Sequence, residues 1–515
     1  MKRFLTIYLG VVLATTVFTA NAAGTLIVMA IVGAETVAAL TVAQVAMAMV
    51  INFAISTLVS RAFAPKLDMP DQKDNGVRQQ VPPSSTNGIP VVYGDAYLGG
   101  VFCDAVLSQD QKTMYYVMAI SNISPNGQFF FDTSKFYYAD RLCSISGAQV
   151  VSLTDGAGNV DTKIDGKLCI YLYTSDENGV ITPYNSSLMP HQVMGGSDIL
   201  PALRWTSTGR QMYGTAFAII KLNYNREAET TQLQPVTFHV SHYLNNKGAA
   251  IPGDVWYDYL TNTQYGGAID PSTVDLSTAT ALNNYSNQLI TYTDSSGNPA
   301  SQVRYRINGV LDVGKTVLEN IDQILVACDS WMAYNSATGS WSVIINKPES
   351  VSLAFDDSNI IGEIRVSATD ITQSINQIEA KFPFKSNRDQ YDYVYLETPA
   401  ILRYPNEPDN KYSTTYEMLN DSVQAQYIAN RTLEQAREDL IVSIKTTYSG
   451  IQINAGDVVT ITNSAYGWSG KPFRVTKVNE ASLPDGTLGA SLELNEYNAQ
   501  VYDDKPITQY QPALS

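Results

Sequence analysis

Histidine and cysteine are scarce: three of the former and four of the latter in 515 residues. That scarcity removes most metal and redox chemistry. Cys103, Cys143, Cys169 and Cys328 lie too far apart for a zinc or redox motif, and they are too few for a disulfide framework. They are expected as buried free thiols. His239 and His242 share a strand-like run whose odd spacing sends their rings to opposite faces. Charge is also thin, at 16% of residues, with 33 Lys and Arg against 49 Asp and Glu and a net charge of −16. A general nucleic-acid binder needs cations to displace phosphate counterions, so that class is excluded. An acidic surface would instead let DNA pass without sticking. Signatures of catalysis are missing as well: no G-x-S-x-G elbow, P-loop, H-E-x-x-H, EF-hand or G-x-G-x-x-G before a helix. Carboxylates are numerous but scattered. No enzyme, catalytic residue, cofactor or metal is expected.

What is present is strand material. Hydrophobic residues make up 45%, with 32 Tyr and 33 Gly, a mix that favours short strands and turns. Runs over 89–94, 114–120, 167–173 and 214–224 read as strands, the second apolar enough to be buried on both faces. A helix is expected over 315–329, with Val317, Ile321, Ile324, Leu325 and Cys328 on one face, feeding a hairpin over 331–345. A second helix is expected over 422–440, followed by strands near 441–447, 458–462, 473–478 and 490–494. The fold class is α+β, predominantly β. No short fixed repeat occurs, which disfavours solenoids and propellers.

The first 64 residues differ from the rest. They carry Lys2, Arg3, Arg61 and Glu35 as their only charged side chains. Lys2-Arg3, an apolar run and Ala20-Asn21-Ala22 imitate a secretory signal. A second apolar stretch follows at once, including Leu26, Val28, Ile31, Val50, Ile51, Phe53 and Ile55. It is long enough to span a bilayer, or to form helices buried against copies of themselves or another apolar chain. Breaker-rich residues 65–88 make a polar linker. Beyond it we expect a first β-rich domain over 89–250, an α+β domain over 251–350 and a second β-rich domain over 351–515.

Four stretches in order resemble one family. They are Gly88-Ile89-Pro90-Val91-Val92-Tyr93-Gly94 with Gly99-Gly100; the run 255–262 from Val255-Trp256 to Asn262, with Tyr265-Gly266-Gly267; the helix and hairpin over 310–347; and the 425–440 helix with Gly456-Asp457 and the run from Gly467-Trp468 to Arg474-Val475. Together they resemble the tail hub (tip or baseplate hub) proteins of long-tailed phages and gene transfer agents, most of all the front part of the lambda-like host-specificity tip protein. Residues 128–250 match less closely.

The resemblance implies tail-tube-like β-barrel hub domains with inserted α+β domains. Tyr93, Gly94, Trp256, Tyr265, Gly266, Gly456, Asp457, Trp468 and Arg474 are the structural motif positions. It implies a homotrimeric virion protein at the distal tail tip, adapting a six-fold tube to a three-fold tip and forming part of the DNA-ejection conduit. Implied partners are the tail tube or distal tail protein, the tape-measure C-terminus, a tip or fibre receptor-binding protein, the host membrane during ejection, and translocating DNA without specific binding. Assembly in the host cytoplasm would make the signal-like start a coincidence. The chain stops at Ser515 without a receptor-binding extension, which implies that a separate protein recognises the host. The segment 456–461 is expected to be a barrel edge free to pair across a subunit boundary. The alternative reading is an exported, membrane-anchored, β-rich surface protein that binds sugars or acts as an adhesin.

Overall fold

Strand Val91–Leu98 organises the first β layer of the computed structural model, which describes residues 88–510 except 336–337, 369–373, 439, 483–485 and 506. The apolar arm with Leu26, Val28, Ile31, Val50, Ile51, Phe53 and Ile55, and the linker as far as residue 87, lie outside the described residues.

Val91–Leu98 pairs antiparallel with Val236–Leu244 and meets Thr113–Asn122 through one parallel bridge. The sheet continues one way through Thr215–Asn223 and Leu168–Ser175, and the other way through Tyr137–Tyr138, Arg141–Ser146 and Gln149–Thr154. The pairing of Gln149 with Cys169 joins the two ends. Eight strands thus close on themselves, which removes the free edges an open sheet would leave. Alternation does the packing: Met118, Ile120, Ile170, Leu172, Ala218 and Ile220 point inward, while Tyr115, Val117, Tyr173, Phe217 and Ile219 point outward. Segment 176–214 covers those outward residues with Val193, Met194, Ile199 and Trp205. The apolar run over 114–120 is therefore buried on both faces, as expected.

Among the described residues four helices of ten or more residues follow: α1 (Pro252–Thr261), α2 (Leu276–Ser286), α3 (Val317–Val326) and α4 (Ser422–Gln435). Their starts are written in the sequence. Asp275 and Asp421 cap α2 and α4, and Thr316 with Glu319 forms a reciprocal capping box on α3. On α3, Ile321, Ile324 and Leu325 face the core, with Cys328 just beyond, whereas Val317 in the first turn is partly exposed. α4 stops at Gln435, short of the expected Leu440. Arg437 is drawn to Glu407 (2.5 Å), and Leu440 pairs with Ala368 at the start of strand Leu440–Thr446. Strand pairing overrides a helix-forming stretch there.

One apolar core takes in residues of all four helices, the hairpin Ser330–Asn335/Ser340–Ile345, the three-stranded sheet Gln390–Glu397/Gln377–Phe384/Lys411–Thr415, and Val91 and Tyr93 from the first barrel. Its members come from both sides of residues 250 and 350.

A six-stranded sheet forms the C-terminal body, in the order Val351–Phe355, Val458–Asn463, Trp468–Ser482, Leu488–Glu496, Leu440–Thr446 and Arg365–Ala368. Phe355, Val459, Ile461, Phe473, Val475, Leu492 and Leu494 fill its core. Two expectations are corrected here. Segment 456–461 is not an edge, because Val458–Asn463 is flanked by Val351–Phe355 on one side and Trp468–Ser482 on the other. Nor are the cysteines uniformly buried: Cys143 and Cys328 are, Cys169 is half-buried and Cys103 is exposed. Cys103 sits where the pairing of Val101–Leu107 slips by one residue, between Phe102 and Asp104, and the bulge turns it outward.

Candidate functional site

The motif residues gather at two buried joints. The first is built on α1. Pro252 opens this helix, and Val255, Trp256, Tyr259 and Leu260 bury one side of it. Asp258 projects toward the first barrel and accepts three hydroxyl hydrogen bonds. Tyr93 Oη donates to Oδ2 at 2.6 Å, Tyr265 Oη to Oδ2 at 2.7 Å, and Ser124 Oγ to Oδ1 at 2.6 Å. Among the described residues no Lys or Arg pairs with this half-buried carboxylate, so the three hydroxyls supply its hydrogen bonds within the chain. Burial, together with the neighbouring carboxylate, pushes both phenols well above their ordinary pKa, so they remain donors.

His242 completes this joint. Its ring stacks on Tyr93 at 5.8 Å and 16°. Nδ1 lies 2.7 Å from Val92 O and donates to it, which leaves Nε2 to accept from the Ser124 N–H at 3.4 Å. Burial lowers its pKa, so the ring is neutral.

The glycines of the motifs are there for space. Gly94 has φ +71°, and a Cβ on it would meet Ile307 O at 2.1 Å. A Cβ on Gly266 would lie 2.0 Å from Tyr259 O, so only glycine lets the chain fold back onto α1. Trp256 is fully buried in the core behind them.

The second joint seats the C-terminal sheet. Arg474, on Trp468–Ser482, donates from Nη2 to Lys347 O at 2.6 Å and from Nη1 to Asn346 Oδ1 at 3.3 Å. Its guanidinium lies over Tyr497 and Tyr502 at 5.4 and 5.2 Å. From the other side Arg431 of α4 donates to Asn346 O at 3.0 Å and Tyr305 Oη at 3.1 Å, and it pairs with Asp329 at 3.1 Å. Asp329 and the buried phenols hold its charge firmly in place. Nearby, Arg304 grips Asp504 through two bonds of 2.7 and 2.8 Å.

Gly456 and Asp457 make the turn that enters the same sheet, with Gly456 N donating to Val475 O at 2.8 Å. Burial and the charge of Glu349 raise the Asp457 pKa. Trp468 stands apart, stacked on Tyr466 at 4.8 Å and tilted over Phe473 at 5.2 Å.

The structure thus brings Tyr93, Trp256, Tyr265 and Gly266 together, with Gly94 on the same strand as Tyr93, and places Gly456, Asp457 and Arg474 along the second joint. Sequence reasoning gave no role to Ser124, Arg431 or Asn346, named His242 only for the face its ring takes, and met Asp258 only as a member of the 255–262 run. Asp258 had a visible signal, a carboxylate inside an otherwise apolar and aromatic run; the others had none. Among the described residues no three His, Cys, Asp or Glu side chains gather as a metal-binding group, and no helix is long and apolar enough to cross a membrane. Chemically, both joints hold separate elements in register.

No family model matches the chain. It is 23% identical over 466 residues to the baseplate hub protein pb3 of Escherichia phage T5, a match covering 80% of this chain and 48% of that protein. The chain is thus similar to a phage baseplate hub protein. It spans about half the length of that curated relative. Among solved structures, a chain from the virion of a native gene transfer agent particle aligns at TM-score 0.54 with 11% identity, covering 90% of this chain and 98% of that one. The two share a fold. A tail protein of Neisseria meningitidis MC58 aligns over 80% of this chain at TM-score 0.34. The chain is mostly β, with barrel and sheet bodies around an α+β core, the fold it shares with the gene transfer agent chain.

Proposed function

We propose that three copies of this chain close into a ring at the distal end of the tail tube, adapt six-fold tube symmetry to a three-fold tip and form part of the DNA-ejection conduit. The observation that carries this reading is the extent of the likeness. The match to a baseplate hub protein runs over 80% of the chain, and the fold shared with a gene transfer agent virion chain runs over 90%. It embraces the whole body rather than one module.

Other features support the same reading. Two separate β bodies, the closed barrel and the six-stranded sheet, are tied to one α+β core by the Asp258 and Arg474 joints, which suits a part that must transmit force without coming apart. A net charge of −16 suits a wall that DNA passes without being held. The role is structural rather than catalytic. Its partners would be the tube or distal tail protein, the tape-measure C-terminus and a tip or fibre protein that recognises the host. The arm over 1–64 would line or plug the lumen and enter the host membrane on ejection.

Disrupting the gene in the phage genome tests this. The expected result is full heads with no completed tails. Normal, infectious tails from the disrupted genome would refute it.

A further inference from the structure

Arg431 and Tyr427 stand one turn apart on α4, buried at 3% and 6% exposure. Arg431 spends Nη1 on Asp329, Asn346 and Tyr305. Among the described residues, neither its Nη2 nor the Tyr427 hydroxyl has a hydrogen-bond partner. A guanidinium only donates. Burial and the nearby Asp504 carboxylate push the Tyr427 pKa up, so the phenol also keeps its proton. Two buried donors therefore lack an acceptor, and leaving them so is costly.

Both side chains line one small cavity. Its facing wall is Val501, Asp503, Lys505 and Ile507, from the segment that leaves the C-terminal sheet and returns to pair with Tyr292 and Thr293. That segment is firmly fastened. Arg304 grips Asp504, Lys505 Nζ lies 2.6 Å from Glu434, and Gln426 Nε2 donates to Thr508 O at 3.0 Å. The enclosed space is about 10 Å³, room for one water molecule.

Charge decides what fits there. Arg431 is paired with Asp329, Arg304 with Asp504 and Lys505 with Glu434. These pairings leave no surplus positive charge, and Asp503 adds a negative one, so an anion is disfavoured. An apolar guest would strand both donors. A water molecule accepts from both and has two hydrogens left, for which the Asp503 carboxylate is an acceptor.

We infer that this cavity is a binding site for a single water molecule, which accepts from Arg431 Nη2 and Tyr427 Oη and donates to the 501–507 wall. Arg431 already holds Asn346, where the chain heads into the C-terminal sheet. Through the water it also holds the segment by which the chain leaves that sheet.

The test uses the full-length chain. A density map at better than about 2 Å should show one peak within hydrogen-bond distance, about 2.7–3.2 Å, of both Arg431 Nη2 and Tyr427 Oη. An empty cavity, or a Tyr427 hydroxyl turned directly onto Asp504, overturns the site. An anomalous peak there after bromide soaking makes it a halide site and overturns the water. A double-mutant cycle of melting temperatures gives the solution arm. Val501→Ile pushes a methylene into the space, which stabilises a dry cavity but expels a bound water. The expected result is a fall of about 2 °C. Tyr427→Phe should then cost clearly less in the Val501→Ile background than in the parent, because the water it bonds is already gone. A rise in melting temperature with Val501→Ile, or losses that simply add, would overturn the inference.

Discussion

The Tyr93 hydroxyl and the Asp258 carboxylate meet at 2.6 Å across 165 residues of sequence. One sits in the strand that opens the first barrel and the other in the helix that opens the α+β core, so this bond registers two layers of the molecule. Tyr265, seven residues after Asp258, closes on the same oxygen. Hydrogen bonds to a charged group contribute about 1.5–3 kcal/mol each. Tyr93→Phe should therefore lower stability by about 2 kcal/mol. Asp258→Ala should cost more, because it strands three buried hydroxyls. Urea unfolding followed by tryptophan fluorescence measures both; a Tyr93→Phe variant as stable as the parent would remove the joint's importance.

His242 gives this joint a pH dependence. It is neutral in the fold because burial holds its pKa below the ordinary 6.5. The unfolded chain takes up a proton near pH 6.5 while the folded chain resists until lower pH, so acid favours unfolding. This contribution is fully present above pH 6.5 and is lost as the pH falls through the depressed folded value. Buried His239, also shifted downward, adds in the same direction. Melting temperature should fall as the pH drops below 6.5, and His242→Gln should flatten that slope.

Arg431 and Arg474 lock the C-terminal sheet to the core from opposite sides of Asn346. Arg431→Ala leaves Asp329 without its partner in a buried site and should cost about 3–5 kcal/mol. Arg474→Lys keeps the charge but cannot reproduce the planar stack on Tyr497 and Tyr502. Limited proteolysis should then cut faster at residues 346–350, the segment that leads into the C-terminal sheet, than in the parent.

Thiol labelling of the native protein should find Cys103 first. Burial pushes the Cys143 thiol up to about 12, and Cys328 is fully buried. Both should react only after unfolding, as read by peptide mass mapping. Early labelling of Cys328 would contradict the packing of α3.

Deleting residues 1–64 isolates the arm. Particles should assemble but eject DNA slowly or not at all, measured as potassium efflux or dye release on contact with host cells. Normal ejection would remove the plug and membrane roles.

Much of the fold was legible because its signals are local. Period-two apolar runs marked the barrel strands, and the Ile321–Leu325 stripe marked α3. Long-range geometry was not legible. Nothing in the sequence near 149 or 169 announces that Gln149 and Cys169 close the barrel, and nothing near 351 shows that Val351–Phe355 will cover the side of Val458–Asn463 expected to be open. The end of α4 was misplaced because Leu440 obeys a strand partner at Ala368 rather than its own helix preference. At the joints, Tyr93, Tyr265 and Arg474 stood inside recognisable motifs. Ser124, His242 and Asn346 act only through the partners the fold delivers to them.

The most direct test is to image the tail tip of the intact particle end-on by electron cryomicroscopy without imposed symmetry. The account predicts three copies of this chain in one ring beneath a six-fold tube, around an open or plugged channel. Six copies, a single copy, or a tip density lacking this fold would contradict it.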